Sequence, residues 1–113
     1  FYQNALKEMK GVSFLNEPAS FFSNRWLTTI LVDSSIAGKG REDIRIHLEQ
    51  LNIESRPLWK PMHLQPVFKA YPFYGDGLSE QLFNDGLCLP SGSNLSQEDL
   101  DFVANSVKKI MNN

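Results

Sequence analysis

The segment Arg56-Pro57-Leu58-Trp59-Lys60-Pro61-Met62-His63-Leu64-Gln65-Pro66 puts three prolines into eleven consecutive positions. Proline lacks a backbone donor and holds φ near about −65°, so Pro57, Pro61 and Pro66 exclude an interior helical turn or a central strand through this stretch. A stiff loop therefore crosses the middle of the chain, and every regular element has to be arranged around it. The same loop carries an arginine, a tryptophan, a lysine and a histidine. Large polar and aromatic side chains on a restrained loop are where binding sites concentrate, yet three prolines also serve simply to fix a path across a domain surface. The residues alone leave both readings open.

Around that loop, 113 residues with 42% hydrophobic content suffice for one domain with a modest core. Eleven basic side chains against thirteen acidic ones leave a net charge of −2 with no basic run, which argues against a nucleic-acid partner. No apolar run approaches the roughly 20 residues needed to cross a bilayer, and nothing resembles a signal peptide, so a cytoplasmic protein without a membrane partner is expected. Cys88, the one cysteine, sits within Leu87-Cys88-Leu89 and reads as a small buried hydrophobe. Gly38-Lys39-Gly40 lacks the glycine-lysine-hydroxyl block of a phosphate loop.

Periodicity supplies the elements. Apolar residues at 2, 5, 6 and 9 predict a first helix stopping before Gly11, with no capping residue ahead of it, as in a piece of a longer chain. A short strand is expected at 12–15. The apolar, β-branched run from Arg25 to Asp33 predicts a central strand. Ile44, Leu48 and Leu51 share one face of a helix over 41–52, and Ile53 to Arg56 alternates as a strand does. Residues 67–71 predict a short helical turn. Ser79 caps an expected helix closed by a left-handed Gly86, and residues 87–89 form a buried strand. Ser96-Gln97-Glu98-Asp99 opens a final helix with Leu100, Val103, Val107 and Ile110 on one face. The predicted class is α+β: a small, mainly antiparallel sheet of three to four strands with helices packed on one face.

The chemistry-bearing residues gather in the proline loop. Arg56 suits a bidentate carboxylate or phosphate, Lys60 a point charge, Trp59 a stacking surface, and His63 hydrogen bonding near neutral pH. Each also has a bland role, Trp59 in the core and Arg56 and Lys60 as solvated charges. His47, between Ile46 and Leu48, reads as a helix-packing or surface residue, and no zinc spacing is present.

Three blocks together, Ser23-Asn24-Arg25-Trp26-Leu27-Thr28, the proline loop with its Pro61-Met62-His63 centre, and Gly86-Leu87-Cys88-Leu89-Pro90 followed by Leu95-Ser96-Gln97-Glu98-Asp99, resemble the C-terminal domain of DegT/DnrJ/StrS sugar aminotransferases. The resemblance implies the small domain of a fold type I enzyme over residues 1–113, with the large domain lying outside this chain. It implies pyridoxal 5'-phosphate, bound mainly by that large domain through a lysine that none of the seven lysines here matches. It further implies a nucleotide-linked keto sugar and an amino-acid donor, usually glutamate, as substrates, a homodimer, and a product used in surface polysaccharides, glycoproteins or antibiotics. On that reading His63 lines the substrate cleft first, then Lys60 and Trp59, then Arg56, all as binding groups, with Asn24, Arg25 and Trp26 as weaker candidates. The chain alone would be inactive. The alternative is a free-standing module that binds a sugar nucleotide or a protein partner.

Overall fold

A computed structural model describes residues 1–24 and 26–112. In chain order the elements are α1 (Tyr2–Leu6), β1 (Val12–Phe14), β2 (Thr28–Val32), α2 (Ser34–Ala37), α3 (Arg41–Gln50), β3 (Arg56–Pro57), short 3-10 turns at Met62–Leu64 and Pro66–Phe68, α4 (Leu78–Asp85), β4 (Gly86–Leu89) and α5 (Gln97–Met111). The four strands form one antiparallel sheet in the order β1-β2-β4-β3. The expected α+β class holds, with β2 central as its apolar run requires.

Register decides the two faces. Ile30 pairs with Leu87 and Phe14 pairs with Ile30, so these side chains share one face with Val32 and Leu89. There they meet Tyr2 and Leu6 of α1, Ile44 and Leu48 of α3, and Val103, Ala104 and Val107 of α5 in the single buried cluster. The other face carries the row Thr29, Cys88 and Arg56, one residue from each of β2, β4 and β3. Cys88 is buried as expected, with its Sγ 3.6 Å from the Thr29 hydroxyl.

Local chemistry explains the element ends. Asn52 takes a left-handed φ of 57°, its N–H donates to the Glu49 carbonyl, and the Ile53 N–H donates to the Leu48 carbonyl, both at 2.9 Å. This is a Schellman closure in which the two buried side chains, Leu48 and Ile53, meet across the turn. α5 opens as its sequence predicts: the Asp99 N–H donates to Ser96 Oγ, while the Ser96 N–H donates to Asp99 Oδ2. Gly11 is left-handed at φ 76°, and a Cβ there would come within 2.8 Å of Ala37, so the turn into β1 admits only glycine.

Several expectations need correction. The central strand begins at Thr28, and the predicted start at Arg25 lies outside the described residues. Only Arg56 and Pro57 pair in β3, because Ile53 is spent on closing α3 and a proline on an edge strand has no N–H to continue the ladder. α2 escaped notice: Asp33 caps it by accepting from the Ser35 N–H. Ser79 is not the cap of α4. Gly77 occupies that position at φ 84°, with the Asp76 carboxylate accepting from the Leu78 N–H. Gly86 is extended at φ −89°, the first residue of β4. No described helix is long and apolar enough to cross a membrane.

Candidate functional site

The proline loop leaves the sheet at its β3 edge. Pro57 pairs with Leu87, and the Leu58 N–H reaches the Gly86 carbonyl at 3.3 Å. Trp59 then turns outward. Its ring lies 6.1 Å from that of Trp26, at 36°, and each side chain remains 68% exposed. The Met62–Leu64 turn follows, closed by the Leu64 N–H on the Pro61 carbonyl and by Gln65 Nε2 on the Lys60 carbonyl. Two successive 3-10 turns are what a proline-spaced segment adopts in place of a helix.

His63 is turned toward α4. Its Nε2 lies 2.6 Å from Glu80 Oε1, and its ring stacks on Phe73 with centroids 3.6 Å apart and planes at 21°. α4 is itself anchored, because Arg41 Nε donates to the Asn84 carbonyl at 2.7 Å while the guanidinium lies 4.9 Å over the Phe83 ring. The start of α3 thus fixes the end of α4, and Glu80 of α4 fixes the loop.

A groove of about 900 Å³ opens on the neighbouring surface, lined among others by Leu27, Arg56, Trp59, Pro90, Leu95 and Phe102. The four principal candidates are therefore divided. Arg56 and Trp59 border this groove; His63 and Lys60 do not. Arg56 is already paired at the surface, its Nε donating to Glu54 Oε1 at 2.7 Å, a contact of little energetic weight in water. Lys60 is exposed. Of the weaker candidates, Trp26 joins Trp59, and Asn24 Oδ1 accepts from the Trp26 N–H at 3.1 Å. Arg25 lies outside the described residues. The sequence reading did not single out Glu80 and Phe73. Phe73 had a signal in the aromatic loop 72–77, whereas Glu80 had the look of an ordinary first-turn acid of a helix.

No lysine lines the groove, and a Schiff-base cofactor requires one.

The profile of the DegT/DnrJ/EryC1/StrS aminotransferase family matches residues 1–108. The chain belongs to that family. EpsN of Bacillus subtilis (strain 168), named as a candidate pyridoxal phosphate-dependent aminotransferase, is 46% identical over 102 residues, which cover 87% of this chain and 26% of EpsN. The dTDP-4-amino-4,6-dideoxy-D-glucose transaminase of Shigella dysenteriae is 27% identical over 114 residues, 97% of this chain and 30% of that protein. Among solved structures, a family aminotransferase from Brucella abortus superposes with a TM-score of 0.79 at 27% identity, covering 99% of this chain and 29% of its own. The chain thus spans between a quarter and a third of the length of each of these three proteins.

Proposed function

We propose that this chain is the small C-terminal domain of an aminotransferase that uses pyridoxal phosphate to move an amino group from an amino acid, glutamate by preference, onto a nucleotide-linked keto sugar. The observation that carries this reading is a family match over residues 1–108 in a chain that spans 26% of EpsN. The name of the Shigella relative, a dTDP-sugar transaminase, supports the substrate class. Pyridoxal phosphate supplies the electron sink for amino transfer, and residues outside this chain hold it.

What the chain contributes is a wall. Its surface carries Phe22, Trp26, Trp59, Met62, Tyr71 and Tyr74, all exposed, on the loops before β2 and after β3. Exposed apolar side chains in such number mark a surface that another body covers, here the large domain. The proline loop reaches that surface already ordered, which lowers the entropic cost of closing on substrate. His63, Lys60, Trp59 and Arg56 are the groups this wall offers to the carboxylate donor and the sugar nucleotide.

The test is expression of the complete polypeptide that carries these residues. Visible absorbance of bound cofactor, and transfer of the glutamate amine to a nucleotide-linked keto sugar, are expected. The 113 residues alone are expected to leave the cofactor spectrum unchanged. A complete polypeptide that binds no cofactor would overturn the reading, and tight sugar-nucleotide binding by the isolated chain would favour a self-sufficient module.

A further inference from the structure

His63 and Glu80 are 17 positions apart and belong to different elements, yet Nε2 and Oε1 lie 2.6 Å from one another. The side chains are 16% and 30% exposed, so the contact is substantially withdrawn from water. An ionised carboxylate can only accept a hydrogen bond, so the ring nitrogen facing Glu80 is the one that carries hydrogen. Phe73 covers one face of the ring. Phe73 on one face and Glu80 at one edge together favour a single orientation of the ring. No second hydrogen bond to the imidazole is found among the described residues.

We propose that Glu80 is a positioning residue for the sugar-nucleotide site: it commits His63 Nε2 to donation and thereby leaves Nδ1 of the neutral ring as a hydrogen-bond acceptor for a substrate hydroxyl or N–H. This rests on the function proposed above, and it goes further in naming which ring atom meets the ligand and which residue decides it. Carboxylates that hold the second nitrogen of a functional histidine set tautomer and orientation in the same way. The anchoring is relayed. Arg41 pins α4 through the Asn84 carbonyl and Phe83, α4 carries Glu80, and Glu80 sets the ring. The loop's prolines make this arrangement stiff, because Pro61 and Pro66 bracket the turn on which His63 sits.

Two readouts in the complete polypeptide decide it, with Glu80→Ala and Glu80→Gln compared to wild type. Long-range nitrogen-15 spectra of labelled histidine, assigned with His63→Asn, report which nitrogen carries the proton at alkaline pH. The expected result is a proton on Nε2 in wild type and in Glu80→Gln, whose amide oxygen still accepts, and a mixture of tautomers in Glu80→Ala. Kinetics with a dTDP-linked keto sugar should give a KM raised about tenfold in Glu80→Ala with kcat within about twofold, and a KM near wild type in Glu80→Gln. A ring protonated on Nδ1 in wild type overturns the proposal, as does an unchanged KM in Glu80→Ala. So does a loss in Glu80→Ala that tracks reduced thermal stability and is not restored by glutamine. If the complete polypeptide shows no aminotransferase activity, the functional reading fails and so does the ligand role of Nδ1, while the spectra still decide whether Glu80 sets the tautomer.

Discussion

Leu58 fills the space that any side chain at position 86 would need: a Cβ on Gly86 would lie 2.2 Å from Leu58 Cδ1 and 2.5 Å from the Leu82 carbonyl oxygen. Gly86 is therefore required for close approach, since its extended backbone suits any residue. Gly86→Ala is expected to cost about 2 kcal/mol, because the carbonyl of α4 cannot yield as a side chain can. Adding Leu58→Ala should recover part of that loss, so the two changes will be less than additive in urea unfolding. Full additivity would show that Leu58 does not press on the glycine.

The two tryptophans are paired with each other and otherwise face outward. In the isolated chain their fluorescence should respond freely to acrylamide. In the complete polypeptide the contribution of Trp26 and Trp59, isolated by the Trp26→Phe and Trp59→Phe variants, should be shifted to shorter wavelength and protected. Equal quenching in both contexts would mean that no larger body covers this surface.

Tyr2 is buried, and its hydroxyl donates to the Pro90 carbonyl at 2.9 Å, tying α1 to the turn after β4. Burial raises its pKa to about 12. A folded value above the unfolded one, about 10, means that the stabilisation is complete below the unfolded value and is lost as pH rises through the folded value. Tyr2→Phe should cost about 1 kcal/mol at neutral pH through the lost hydrogen bond. It should also flatten the decline of the urea midpoint on the alkaline side, and an unchanged alkaline decline would count against this assignment.

At the start of α5, hydrogen bonds from the Ser96 hydroxyl, and then from its backbone N–H, hold the Asp99 carboxyl below the usual carboxylate range. The sign is opposite to that of Tyr2. The contribution is present above the unfolded value and disappears as pH falls through the lowered folded one. Ser96→Ala should cost about 1 kcal/mol at neutral pH as the helix loses its cap. Its acid unfolding curve should also be shallower than that of wild type, and parallel curves would refute the coupling.

Local rules were legible where local chemistry suffices. The capping box of α5, the burial of Ile44 and Leu48 on α3 and the central place of β2 follow from local pattern, and the sequence predicted all three; Leu51, expected on the same stripe, instead lies just past the end of α3 and is exposed. It failed at Ser79 because an earlier start competed for the cap, and at Gly86 because that glycine answers to its neighbours in space. Asp76 with Gly77 offers α4 a start two residues earlier than Ser79 does, and Gly86 answered to Leu58 and Leu82 across space rather than to its own turn.

The same division applies to the site. By itself the sequence determined that a rigid, proline-bounded loop bearing Trp59, Lys60 and His63 must interrupt the chain, since the ring of proline restricts φ in any fold. Only the tertiary structure decided that Trp59 would stand beside Trp26 and that His63 would turn to Glu80 and Phe73. Those partners lie 10 to 33 positions away along the chain, and no local preference of either residue encodes a contact that exists only once the sheet and α4 have brought both sides together.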